Sequence, residues 1–107
     1  SAAFERRLRA TGITVFGAYV SGDADIEVRS FAPSCGVGED PVCGSGNGAV
    51  AVFRQVRGLL TAKHSTYVAT QGQCVGRRGR VSISVAGECS VTVGGECVTV
   101  LDGILRL

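Results

Sequence analysis

In the stretch Glu39-Asp40-Pro41-Val42-Cys43-Gly44-Ser45-Gly46-Asn47-Gly48 the carboxyl of Asp40 and the thiol of Cys43 can carry a proton beside a glycine-rich run. They stand three positions apart on a turn that Pro41 stiffens, so both can face one pocket. Glycines and small polar residues follow, leading into the most apolar helical segment of the sequence. The first N–H groups of a helix lack intrahelical partners, and the helix end carries about half a positive charge. A glycine-rich start leaves those groups open to close approach, which suits a carboxylate or phosphate. The same field favours a thiolate at Cys43. An acid and a sulfur beside an anion-binding helix end can move a proton next to a carboxylate. Asp40 and Cys43 are therefore the candidate catalytic residues, and Gly44, Ser45, Gly46 and Asn47 the candidate substrate-binding residues. Taken alone, the motif also allows a plain structural use, with Asp40 capping the turn and Cys43 filling space.

Competing chemistries fit less well. Gly44-Ser45-Gly46-Asn47-Gly48-Ala49 meets a dinucleotide fingerprint only if Ala49 replaces the last glycine, and a turn precedes it where a buried strand is required. No Gly-Lys-Ser/Thr phosphate loop occurs. The five cysteines, Cys35, Cys43, Cys74, Cys89 and Cys97, include no C-x-x-C pair, and the single His64 does not complete a zinc set. They are expected to be reduced thiols of a cytoplasmic protein, most of them small buried hydrophobes. No metal or cofactor is expected. His64 is placed on a surface loop at the far end of the helix from Asp40. Arg77-Arg78-Gly79-Arg80 reads as a solvated hairpin tip, without nearby aromatics for base stacking. A net charge of +2 does not imply a nucleic-acid partner. No apolar run of about 18 residues suggests a membrane span, and no charged-then-apolar leader opens the sequence.

The elements that must position these residues fit one domain of 107 residues, with 45% hydrophobic content, no Trp, no Met and 16 glycines. A core of small aliphatics and many short strands is expected. Residues 2–10 read as an amphipathic helix ended by Thr11-Gly12, with no clear N-cap, which suggests that the helix belongs to a longer unit. Residues 13–20 and 25–32 read as a strand pair turning at Ser21-Gly22-Asp23. Ile26 and Val28 are expected on a buried face and Glu27 and Arg29 on a wet one. Residues 34–38 read as a flexible loop. A helix over 45–60, capped by Ser45 or Asn47, should enter the core N-terminus first and bury a stripe of Val52, Phe53, Val56, Leu59 and Leu60. Strands are expected over 65–71, 80–86, 88–93, 96–101 and 104–107, with antiparallel alternation. The fold class is α+β, a mixed, mostly antiparallel, barrel-like sheet wrapped around a central helix.

Four motifs then carry a family resemblance. Arg29-Ser30-Phe31-Ala32-Pro33; Glu39 to Asn47; Gln71-Gly72 with Gly76-Arg77 and Gly79-Arg80-Val81; and Val93-Gly94-Gly95 with Asp102-Gly103 and Leu105-Arg106-Leu107 stand in the order found in the C-terminal part of PhzF-like (phenazine-biosynthesis) isomerases. The Cys-Gly-Ser-Gly segment is also similar to the second cysteine loop of diaminopimelate epimerase. The resemblance implies a cofactor-independent isomerase or epimerase of two similar halves, each a sheet around a helix, with the active site where two helix N-termini meet. It implies that Asp40 is the second-half aspartate and that Gly44, Ser45 and the following amides bind an acidic group. Cys43 stands where the epimerases keep one of two catalytic thiols, a position at which many PhzF-like proteins have Thr. The family's glutamate acid/base and a histidine partner belong to the N-terminal half, which this sequence does not match. The implied partners are a small carboxylate-bearing metabolite and either a second copy or a complementary half-chain. The alternative is a non-catalytic half that persists as a dimeric binding or structural module.

Overall fold

The computed structural model describes residues 1–20, 22, 24–60 and 64–107, so Ser21 and Asp23 of the expected hairpin turn lie outside the described residues. In chain order the elements are α1 (Ala2–Thr11), β1 (Val15–Tyr19), β2 (Ile26–Ala32), β3 (Val37–Asp40), α2 (Gly44–Val56), β4 (His64–Gln71), β5 (Gly79–Ala86) and β6 (Ser90–Gly94). Short 3-10 turns at Pro33–Cys35 and Gln73–Val75 join β2 to β3 and β4 to β5. Residues 34–38, expected as a loop, are thus a tight turn running into a strand.

The six strands form one mixed sheet in the order β1-β2-β4-β5-β6, with β3 also on β2. The β2–β4 pair is parallel and the others are antiparallel. β1 occupies one edge of β2 along its length. β4 takes Ile26–Val28 on the opposite edge, and β3 takes Ser30–Ala32 beyond it. Two strand ends, Asp40 of β3 and Gln71 of β4, therefore meet along one side of β2. That junction is where the chain turns into α2.

β5 alternates as its sequence requires, burying Val81, Ile83 and Val85 and exposing Arg80 and Ser82. These three join Ile26, Val28, Tyr67 and Ala69 in packing around Val50 and Ala51 of α2. The helix touches β5, β6 and also β1, so the sheet bends toward it from both ends of the strand order. Among the described residues β1 and β6 do not pair, and the sheet stays open.

Several expectations change. β2 buries Glu27 as well as Ile26 and Val28, so the face expected to be wet is covered at this position. Ser1 supplies the α1 cap that the sequence reading did not find, its Oγ accepting from the Phe4 N–H at 3.4 Å. The α2 stripe is only partly buried: Phe53, Val56 and Leu59 are exposed, and burial is confined to the first two turns. Gln55 accounts for the orientation, since its side chain accepts from the Cys89 N–H and donates to the Gly87 carbonyl on the β5–β6 turn, fixing which helix face meets the sheet. The strands expected over 96–101 and 104–107 do not form, and the residues after Gly94 are exposed. Cys35, Cys74, Cys89 and Cys97 are exposed and not buried; all five thiols are free. The backbone of His64 begins β4, opposite Ala86, and is not in a loop. No helix among the described residues is long and apolar enough to cross a membrane.

Candidate active site

Cys43 ends the Pro41-Val42 turn in an extended conformation and is itself the N-cap of α2. The capping atom is therefore a sulfur, where the sequence pointed to Ser45 or Asn47. Its Sγ accepts the Gly46 N–H at 3.1 Å and lies 3.3 Å from Ser45 Oγ. Gly44 and Ser45 are exposed, and a Cβ on Gly44 would meet nothing within 4 Å. As the first two helical residues they have no intrahelical acceptor, and no protein group among the described residues takes their N–H groups. Gly46 differs: it is buried, and a Cβ there would lie 2.7 Å from the Phe16 ring and 3.1 Å from Cys43 Sγ. Glycine at this position is required by Phe16 of β1, which covers the inner side of the helix tip.

Beneath the tip lies a buried amide network. Asn47 and Gln71 are each 1% exposed. Gln71 Oε1 accepts from the Cys43 N–H at 3.2 Å and from Asn47 Nδ2 at 2.8 Å, while Gln71 Nε2 donates to the Asp40 carbonyl at 2.8 Å. The orientation is forced, because the Cys43 amide can only donate and the Asp40 carbonyl can only accept. Asn47 must then present its NH2, which also reaches the Cys43 carbonyl at 2.9 Å. Its Oδ1 is left buried without a partner. One glutamine thus holds the end of β3, the turn and the first helical turn to the end of β4. Gln71 was legible only as part of a motif, since its role depends on β3 and β4 sharing one edge of β2.

Asp40 is half-buried at the β3 end, opposite Ser30. Its Oδ1 accepts from the Val42 N–H at 3.0 Å, so the carboxylate braces the turn that carries Cys43. Both candidate proton carriers are thus tied to one short turn, Asp40 to Cys43. Two glycines let that turn sit directly on the β4–β5 backbone: a Cβ on Gly72, at φ +93°, would fall 2.5 Å from the Pro41 carbonyl, and one on Gly79 would collide with the Val42 side chain and lie 3.4 Å from the Pro41 carbonyl. Upstream, Arg29 grips Glu39 through two parallel hydrogen bonds of 2.9 and 2.8 Å. That pair holds the Glu39 carboxyl below its usual range and fixes β3 against β2.

A cleft of about 850 Å3 starts at Val42 and Gly44 and runs past Arg78, Arg80 and Ser82 to Gly94 and Glu96. Cys43 and Asp40 are not among its walls, although Val42 and Gly44 on either side of Cys43 are. Arg78 and Arg80, read as a hairpin tip, line this cleft and a neighbouring one of about 650 Å3 that includes Gln71. Among the described residues no group of three or more His, Cys, Asp or Glu could hold a metal ion.

Fold and site together define an α+β module in which a thiol and a carboxylate flank the open, glycine-rich start of a central helix. A family model described as "Phenazine biosynthesis-like protein" (PhzC-PhzF) matches residues 3–103. The chain belongs to that family. An uncharacterized isomerase of Schizosaccharomyces pombe is 35% identical over 77 residues, covering 70% of this chain and 41% of the relative. An uncharacterized isomerase of Clostridium acetobutylicum is 35% identical over 82 residues, 73% of this chain and 27% of the relative. The S. pombe protein named antisense-enhancing sequence 1 is 40% identical over 74 residues, 69% of this chain and 24% of the relative. The chain thus spans between 24% and 41% of the length of these curated relatives.

Proposed function

We propose that this chain is a cofactor-independent isomerase or epimerase module that moves a proton on carbon in a small carboxylate-bearing metabolite. One observation carries the reading: Cys43 Sγ is seated at the α2 tip beside the open, unpaired amides of Gly44 and Ser45. In this reading those amides bind the substrate carboxylate. Gly46 and Asn47 complete the binding turn from beneath, Gly46 by orienting the sulfur and Asn47 by holding the Cys43 carbonyl. The carbon next to the bound carboxylate then lies near Cys43. The thiolate takes its proton, the electron pair passes into the carboxylate, and the helix-end amides oppose the charge that develops there. A second group returns a proton to the opposite face of that carbon or to another carbon. Asp40 is assigned that role, or the equivalent group of a second half. Two of these halves, each a sheet around its helix, would close the pocket, as a homodimer or with a complementary half-chain. Two of the relatives bear the name isomerase, in keeping with this chemistry. We place the protein in the cytoplasm, where its exposed thiols stay reduced.

A second reading is kept because Asp40 Oδ1 and the Gly46 N–H are already engaged within the turn. In it the half is a non-catalytic, dimeric binding or structural module. Solvent deuterium exchange separates the two. The chain is incubated in D2O with a panel of amino, hydroxy and unsaturated carboxylic acids and carbon-bound deuterium is read by mass spectrometry. Incorporation that Cys43→Ala and Asp40→Asn abolish supports the enzyme. Incorporation unchanged by both substitutions refutes these site assignments.

A further inference from the structure

Phe16 of β1 approaches the helix tip from its inner side, and the chemistry proposed above makes no use of it. Phe16 pairs with Ser30 of β2, and Ser30 stands opposite Asp40 of β3, so the three residues form one row across the sheet and share one of its faces. Ser30 is buried, and Phe16 packs against the core from that face. At one end of the row Asp40 braces the Val42 N–H. At the other end the Phe16 ring meets the first turn of α2: a Cβ on Gly46 would fall 2.7 Å from the ring and 3.1 Å from Cys43 Sγ. Ring edge and sulfur thus face one another across the gap that Gly46 leaves by having no side chain. Sulfur packs favourably at the edge of an aromatic ring, at about 5 Å. The hydrogen bonds that place the sulfur are weak by comparison with those of the amide network. Sγ takes the Gly46 N–H at 3.1 Å and lies 3.3 Å from Ser45 Oγ, but a thiol sulfur is a poor acceptor, and its Cβ offers three staggered positions.

We propose that Phe16 is a positioning residue for Cys43: its ring closes the inner side of the helix tip and keeps the sulfur in the one rotamer that faces the open Gly44 and Ser45 amides. This role rests on the reading of Cys43 as the reacting thiol and adds to it a residue from a distant strand. It assigns two tasks to two neighbours. Gln71 fixes the backbone of Cys43 through its N–H, and Phe16 fixes the side chain. It also gives Gly46 a reason beyond close packing, since a methyl group there would stand between the ring and the sulfur they jointly enclose. Alanine at position 16 would leave a space beneath the tip into which Sγ can turn, giving up the Gly46 N–H and the approach to a bound carboxylate. Leucine would fill most of that space without the ring edge.

The test uses the chain with its other four cysteines replaced by serine and compares Phe16, F16L and F16A. Initial rates of Cys43 alkylation are measured with iodoacetate and with iodoacetamide, and circular dichroism checks that each variant is folded. With Phe16 in place the carboxylate reagent should be favoured by about tenfold through the helix-end amides. In F16A that preference should fall to about twofold or less, with F16L between the two. A merely structural role would loosen the packing, change both rates alike and leave their ratio where it was. The Hα–Hβ couplings of Cys43 in NMR give a second readout: they should be those of a single rotamer with Phe16 and averaged in F16A. Should F16A fail to fold, F16L carries both measurements. Folded variants that keep the parent's tenfold ratio and its single rotamer would overturn the role of Phe16 and leave the helix-tip site standing. A parent chain with no preference between the reagents would remove the carboxylate site itself, and the role of Phe16 with it.

Discussion

Replacing Gln71 with alanine tests how the site is built. The side chain makes three hydrogen bonds, to the Cys43 N–H, Asn47 Nδ2 and the Asp40 carbonyl, and is 1% exposed. Leaving a buried polar group without its partner costs about 1–3 kcal/mol. Asn47 keeps its second bond to the Cys43 carbonyl, and the Cys43 and Asp40 groups are only partly buried. The sum therefore falls short of three full penalties, and we expect a loss of about 3–5 kcal/mol, including the cavity left behind. That is a large fraction of the roughly 5–15 kcal/mol typical of a domain. Urea unfolding followed by circular dichroism reads the loss as a lower midpoint at unchanged slope. A double-mutant cycle with Asn47→Ala should return a coupling of about 1–2 kcal/mol. A loss below about 1 kcal/mol, or no coupling, would show that the amide network does not hold the turn to β4, and the construction given for the site would fail.

Other perturbations have defined outcomes. Gly46→Ala should destabilise by about 1–3 kcal/mol through overpacking against Phe16, and Phe16→Leu in the same chain should recover part of the loss in thermal unfolding. Gly72→Ala combines positive φ with a collision at the Pro41 carbonyl; it should lower the melting temperature more than Gly36→Ala, which has positive φ but open space around it. The Arg29–Glu39 pair predicts an acid limb. Because hydrogen bonds from Arg29 lower the Glu39 carboxyl in the folded state, the pair's contribution is fully present above the unfolded carboxyl's range near pH 4.3 and fades as pH falls through the folded value. Glu39→Gln should therefore cost about 1 kcal/mol at pH 7, modest because the Arg29 side chain is 38% exposed, and the gap should narrow in urea titrations as pH falls below the ordinary carboxylate range.

The β5 alternation, the glycine-marked turns and the apolar start of α2 were all legible, because each follows from local pattern and the strand or helix period. The buried Glu27 was not, since alternation gives a strand two faces but does not say that both will be buried. The exposed Phe53 and Val56 misled for the related reason that a stripe shows what a helix could bury, while Gln55 and the extent of the sheet decide what it does bury. Cys43 as N-cap escaped the usual preference for Ser, Thr, Asp or Asn, although its place just before Gly44 was in plain view. The role of Gln71 lies beyond local reading, for it arises only when β3 and β4 end side by side on β2. Residues 96–101 have the composition of a strand, and none forms there because no partner pairs with them among the described residues.

Everything proposed for catalysis rests on an anion docking at the Gly44–Ser45 amides within reach of Cys43. The direct measurement compares iodoacetate with iodoacetamide as alkylating agents for Cys43, in a chain whose other four cysteines are serine. A carboxylate held at the helix tip raises the reactive carbon's local concentration, so iodoacetate should modify Cys43 faster by about tenfold, equivalent to about 1.4 kcal/mol, and millimolar acetate should slow it competitively. If the neutral reagent is the faster one and acetate has no effect, no carboxylate binds there and the proton-transfer site is not where we have put it.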